Sequence, residues 1–406
     1  MIEADGARSD PSERLRIGFL FNHESVHQIA HAAPIVAELK RHHLNFEISV
    51  LASTAEQLEL ARRMIPSDCG VHYAKLEASP LLRVLGRLAS KVSPMQRYAV
   101  LKSNLDTLGR FDGLVVPELT SLMLKTRLGL KTNIIYTQHG AGDRSIGFVA
   151  SIRDCDLVLL SGRKVLERMK SVGCIREGHY AVVGYPKFEG VGLEGRERSR
   201  LFTNDRPTVL YNPHFEPRLS SWYRMGWQVL DFFLDRPEYN LVFAPHVMLF
   251  KRRWHTSLEE FTVRLRLGVP ARFRDRPNIL IDTGSEACVD MTYTLGSDIY
   301  IGDVSSQVYE FLVEPRPCIF LNARDADWRE DPNYLHWKCG PVLTDPAQLD
   351  AALREATTDP SAYRAVQERL VAEAFDRTET PAPKRAADAI AQFLTHGEIP
   401  PPELDV

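Results

Sequence analysis

Cysteine is scarce and scattered: six residues in 406, at Cys69, Cys155, Cys174, Cys288, Cys318 and Cys339, with no C-x-x-C pair. That spacing excludes a zinc knuckle and a disulfide framework, and reads as isolated thiols of a reducing compartment. Long hydrophobic runs are missing as well; none approaches the roughly 18 residues that a membrane span requires. Met1–Glu13 lacks the basic-then-apolar order of a secretory signal. The expected location is therefore cytoplasmic, with peripheral contact at the inner face of the cell membrane left open. Nor is there an excess of charge. Fifty Lys and Arg against 53 Asp and Glu leave a net charge of -3, so no global field recruits nucleic acid, and none is expected as a partner. No repeat of fixed period is visible, which excludes a solenoid.

What is present is a recurring pattern of a short apolar run followed by a longer amphipathic stretch, the mark of βα units in parallel sheets. In the first half the strand candidates are Leu15–Phe21, Phe46–Ala52, Val71–Leu76, Gly113–Pro117, Asn133–Thr137, Leu157–Leu160 and Tyr180–Val183. Helices are predicted between them, over Val26–Arg41 and Thr54–Met64 among others. A second series runs Thr208–Tyr211, Asn240–Ala244, Asn278–Ile281, Asp298–Ile301, Cys318–Leu321 and Val342–Leu343. From Gly184 to Arg206, Gly, Pro and charge interrupt the periodicity. The expected division is an N-terminal domain over 14–185, a linker over 186–206 and a C-terminal domain over 207–395 that carries a helical tail. The fold class is α/β, two doubly wound domains with a cleft between them, and ligands of such sheets bind beyond the carboxyl ends of the strands.

That rule selects the chemistry-bearing residues. The segment Asp298-Ile-Tyr-Ile-Gly-Asp-Val-Ser-Ser-Gln-Val-Tyr-Glu runs from a strand into a helix start. Ser305 and Ser306 there suit an anion, such as a phosphate, on hydroxyls and backbone N–H groups, with Asp303 counted among the nucleotide-binding residues; helix capping by Asp303 or Ser305 is the structural alternative. Glu310, one turn on, is placed to meet a ribose hydroxyl. In Thr137-Gln-His-Gly-Ala-Gly, His139 is the candidate general base, and Gly140 admits close approach to the backbone. His246, after the strand Asn240–Ala244, suits donation to a phosphate oxygen, and His214 points at the same crevice. Lys251, Arg252 and Arg253 read as a solvated face. His23, His27 and His31 recur every four residues but lack a carboxylate or cysteine partner, so no metal site is expected. Leu81–Leu105 is basic and amphipathic, a pattern shared by domain helices and membrane-surface segments.

At these motifs the chain resembles the CDP-glycerol glycerophosphotransferase family, which builds teichoic acids and related capsule polymers. The resemblance rests on Ser297–Asn322, with its aspartate-bearing strand and Ser305-Ser306 pair, and on His139-Gly140 and His246. It implies a GT-B fold of two Rossmann-like domains and a CDP-linked polyol donor. It also implies CMP release, a polymer or lipid-linked acceptor, and activation of the acceptor hydroxyl by His139. No cofactor is expected, with a divalent cation accompanying the donor pyrophosphate left open. The chain differs from the family in carrying Val304 where tyrosine is usual, and Ala141-Gly142 in place of Thr-Pro. His27-Gln-Ile-Ala-His-Ala-Ala-Pro and the spacing of Ser305, Ser306 and Glu310 resemble UDP-N-acetylglucosamine 2-epimerases, which carry Ser-Gly-Gly at the phosphate loop. A nucleotide-sugar glycosyltransferase and a non-catalytic nucleotide-binding module are the remaining alternatives.

Overall fold

The computed structural model describes residues 14–23, 26–80, 95–257 and 262–400. The reading of Met1–Glu13 and that of Leu81–Pro94 lie outside the described residues. Within them the chain forms two compact units. One holds the chain up to His139, Phe148–Gly195 and the stretch from Glu373 onward; the other holds Gly140–Gly147 and Arg196–Ala372.

The first unit is built on a parallel sheet of seven strands: β1 (Leu15–Phe21), β2 (Phe46–Ala52), β3 (His72–Lys75), β4 (Gly113–Val116), β5 (Asn133–Thr137), β6 (Leu157–Leu160) and β7 (Tyr180–Val182). Their order is β3-β2-β1-β4-β5-β6-β7. The central strands are buried on both faces, which is why they read as continuous apolar runs rather than alternating ones. Helix Ala55–Met64 starts at a capping box in which Thr54 and Gln57 exchange side-chain to backbone hydrogen bonds. The predicted helix Val26–Arg41 is instead a 3-10 turn, Val26–His31, followed by an α-helix, Ala33–His42. Pro34 is the cause: lacking an N–H, it opens a helix rather than continuing one.

The helical tail departs from the expected division. It comprises helices Arg364–Phe375 and Ala382–His396, separated where Asp376 takes a φ of 41°. The last helix belongs to the first unit: Ala386, Ala387, Ile390 and Phe393 are buried in one core with Ile17, Phe19 and Val50 of β1 and β2. Residues 186–206 are not a free linker either. Phe188 packs its ring on Tyr185 and Phe375 (4.8 and 4.6 Å between centroids). In the second unit, Arg196 donates to the Asp290 carbonyl and Arg198 pairs with Asp298 (2.6 and 2.7 Å). Glycine and charge in that stretch mark tight turns and anchoring ion pairs, not slack chain.

The second unit carries a parallel sheet built from β8 (Thr208–Asn212), β9 (Asn240–Phe243), β12 (Ile279–Ile281), β13 (Ile299–Gly302), β14 (Cys318–Leu321) and β15 (Val342–Leu343), in the order β12-β9-β8-β13-β14-β15. A separate antiparallel pair, β10 (Trp254–Ser257) with β11 (Thr262–Leu265), was not anticipated. It follows the Lys251-Arg252-Arg253 run, which is exposed as expected. All six cysteines are buried, and none forms a disulfide. Among the described residues no helix is long and apolar enough to cross a membrane.

Candidate functional site

In both sheets the strand order reverses once, between β1 and β4 and between β8 and β13. Connections leave in opposite directions at such a switch point, opening a crevice beyond the strand ends. The two sets of candidate residues fall there, one in each unit.

In the second unit, Asp303 follows β13 and is fully buried. Oδ1 accepts the backbone N–H groups of His214 and Val304 (2.9 and 2.7 Å), while Oδ2 accepts the N–H and hydroxyl of Ser221 (2.6 and 2.8 Å). Burial pushes its carboxyl above the usual range, against the pull of those hydrogen bonds. Asp303 thus ties the loop after β8 to the loop after β13 and fixes the backbone of His214. Ser305 is buried and its Oγ accepts the Gln307 N–H (3.3 Å). Ser306 is exposed. Helix Gln307–Phe311 has only five residues, so its dipole adds less field than expected. Glu310 is buried within it.

His214 and His246 share one device. Nδ1 of His214 accepts the Glu216 N–H (3.1 Å), and Nδ1 of His246 accepts the Met248 N–H (3.2 Å). A neutral ring that accepts at Nδ1 carries its proton at Nε2, so His246 presents Nε2–H as a donor, whereas His214 has an N–H facing each ring nitrogen. They lie 5.2 Å apart between centroids. Burial, aided by Arg144 and His246, holds His214 well below the usual histidine range and hence neutral. Its Nε2 is nevertheless 2.9 Å from Nη1 of Arg144. The N–H groups of Arg144 and Glu216 thus point at the two nitrogens of one neutral ring, which accepts at only one of them; an anionic oxygen beside Arg144 and the ring relieves that excess of donors. Arg144 was missed in the sequence, where a lone arginine in a loop carries no periodic signal.

Arg144 is set by the segment Gly140–Gly147. Its neighbour Asp143 is buried and accepts from the Tyr309 hydroxyl (2.9 Å), the His336 N–H (3.1 Å) and His336 Nδ1 (2.8 Å). The other His336 nitrogen donates to the Asp303 carbonyl (3.0 Å). Gly140 has a φ of 85°, and a Cβ there would stand 3.1 Å from Ser306 Oγ. The close approach predicted for this glycine therefore admits Ser306 itself.

In the first unit, His139 follows β5. Its ring is buried, and Nδ1–H donates to the Pro117 carbonyl at the end of β4. Nε2 is then the acceptor, and takes an N–H from Gln28 (3.0 Å). Burial lowers the ring's proton affinity, partly offset by the Pro117 bond. A neutral imidazole with its lone pair on Nε2 is the form a general base needs. His31 packs edge-on against Tyr185 and lies 6.4 Å from His139. His23 and His27 are half-buried on the same loop. Among the described residues, no group of three or more His, Cys, Asp or Glu side chains is placed to hold a metal.

Two α/β units of seven and six strands, each with its polar residues at the switch point, define the GT-B class of fold. No family model and no curated protein matches the sequence, whereas solved structures match almost throughout. The chain is similar to a putative UDP-N-acetylglucosamine 2-epimerase from Listeria monocytogenes, with TM-score 0.63 and 12% identity over 96% of this chain and 98% of that one. It is similar to the wall teichoic acid polymerase TagF, with TM-score 0.59 and 13% identity over 95% and 90%; TagF has also been solved after soaking with CDPG. A third likeness is to S. aureus MnaA in complex with UDP, with TM-score 0.60 and 13% identity over 95% and 99%. At such identities the likeness establishes the GT-B fold.

Proposed function

We propose that the protein is an enzyme that transfers a group from a nucleotide-linked donor. More finely, it moves a polyol phosphate from a CDP-linked polyol, such as CDP-glycerol, to a hydroxyl of a polymer or lipid-linked acceptor, with release of CMP. The observation that carries the reading is the excess of N–H donors around His214, where those of Arg144 and Glu216 converge on one neutral ring at the switch point of the second sheet. A phosphate oxygen resolves that donor excess. In this reading Arg144, His214, His246 and Ser306 hold the donor phosphates, Asp303 and Ser305 shape their loop, and Glu310 stands near the ribose. His139 takes the acceptor proton on Nε2. The likeness to TagF and the motifs around His139 and Ser305 support the cytidine-linked donor. A divalent ion accompanying the donor pyrophosphate is compatible with this chemistry, and chelation with EDTA tests for it.

The likeness to the Listeria epimerase and to the UDP-bound MnaA structure favours a second reading, an epimerase acting on a UDP-sugar. The Ser305-Ser306 pair, in place of Ser-Gly-Gly, weighs against it. Incubation with CDP-glycerol, CDP-ribitol and UDP-sugars, followed by identification of the nucleotide formed, separates the two. CMP is the expected product; UDP alone overturns the proposal. Flotation with anionic liposomes tests the peripheral membrane contact.

A further inference from the structure

The turn Val26–His31, which comes after β1, carries a polar feature the reading above does not use. Gln28 donates its side-chain N–H to Nε2 of His139 (3.0 Å). The direction is fixed, because the bond from Nδ1–H to Pro117 leaves Nε2 as the ring's acceptor. Turning the amide round would set its oxygen against the Nε2 lone pair. Oε1 of Gln28 therefore stays where it is, buried and without a partner among the described residues. Nδ1 of His31, on the same turn, is in the same condition. Gln28 and His31 are 5% and 4% exposed, and a buried polar atom left unpaired costs about 1–3 kcal/mol. Native proteins leave few of them. Two on one short turn beside a candidate base mark a place where ligand hydroxyls belong.

We infer that Gln28 and His31 form a subsite for a polyhydroxylated acceptor group, a polyol or a sugar, with Gln28 the positioning residue for the hydroxyl that His139 deprotonates. For the identity of the step this rests on the transferase reading. The entering hydroxyl displaces the Gln28–His139 bond: the Gln28 amide moves off the ring, the hydroxyl oxygen accepts the released Nε2–H, and the hydroxyl proton faces Nε2 of His139. A neighbouring hydroxyl donates to Gln28 Oε1, and another meets His31 Nδ1. Oε1 of Gln28 needs a proton donor, which a hydroxyl supplies and a fully ionised phosphate oxygen does not. In the transfer, the acceptor O–H bond breaks and its proton moves to Nε2. The acceptor oxygen forms the new O–P bond as the P–O bond to CMP breaks, and the imidazolium later returns its proton to solvent.

Gln28→Leu and the near-isosteric Gln28→Glu test the inference, with urea unfolding as the control for a folded first unit, to which Gln28 belongs, and CMP binding as the control for the second. With CDP-glycerol as donor and glycerol or N-acetylglucosamine as acceptor probe, Gln28→Leu should raise the acceptor KM by about tenfold, the effect of one lost hydrogen bond, and leave the donor KM unchanged. Equal effects on both constants, or none, overturn the subsite. A second readout needs no turnover: the 15N resonance of His139 Nε2 should shift on titration with glycerol or N-acetylglucosamine in the wild-type protein and not in either variant. No shift in the wild type, or the same shift in the variants, overturns it too. If the wild type releases no CMP from CDP-glycerol, the transferase reading fails, while the resonance titration still decides the subsite.

Discussion

His139 owes its chemistry to one carbonyl. By accepting from Nδ1–H, Pro117 puts the lone pair on Nε2, and burial keeps the ring neutral below the ordinary histidine value. His139→Asn should therefore abolish nucleotide release while nucleotide affinity, measured by calorimetry, stays within about twofold. Because the neutral ring is the active form and its proton affinity is lowered, activity should rise with pH through an acid limb centred below the ordinary value of about 6.5. A limb centred above that value, or the same limb in His139→Asn, contradicts the assignment. Gly140→Ala brings a methyl group to 3.1 Å from Ser306 Oγ at a φ of 85°. The expected cost is about 1–3 kcal/mol in denaturant unfolding. His139, His214, His246 and the serines were legible in the sequence because each directly follows an apolar run. Arg144 was not, because its significance depends on a histidine 70 residues away in the chain.

At the scale of elements, the segment Gly140–Gly147 is held by the Asp143–His336 pair, which is buried at both ends. Asp143→Asn leaves the ring without its carboxylate in a dry setting, and should destabilise the second unit by about 3–5 kcal/mol. Tyr309→Phe, which removes one donor from the same carboxylate, should cost about 1 kcal/mol. Urea unfolding of the two variants gives the comparison; a smaller loss for Asp143→Asn than for Tyr309→Phe contradicts it. Most strands were readable, since a strand buried on both faces leaves an unbroken apolar word. The β10–β11 pair was not: Trp254, Val263 and Leu265 are exposed, so no burial pattern announces it. Pro34 was in plain view, but its effect on the predicted helix depends on the turn before it, which carries the same apolar spacing.

For the whole molecule, the buried neutral histidines set how stability responds to pH. His31 and His214 lie well below the ordinary value in the folded protein, so the unfolded chain binds more protons once the pH drops through about 6.5. Stability should therefore fall on acidification from about pH 7.5 to about pH 5.5, and His31→Gln or His214→Gln should flatten the slope of Tm against pH. Asp303 and Glu118, raised by burial, act oppositely, favouring the folded state at low pH and losing that contribution as pH rises. An unchanged slope in both histidine variants contradicts the account. The division into units was the least legible feature, because apolar periodicity says that a helix buries a face without saying against which sheet. Helix Ala382–His396 is a case in point: it shares a core with residues of β1 and β2, yet it is the last described helix to leave the ribosome. Until it is made, the core of Ile17, Phe19 and Val50 has Ile35, Val36 and Leu39 of helix Ala33–His42 but lacks its C-terminal partner, so the nascent chain should keep apolar surface open to chaperones. Stalled products that stop before residue 382 should be captured by them or aggregate.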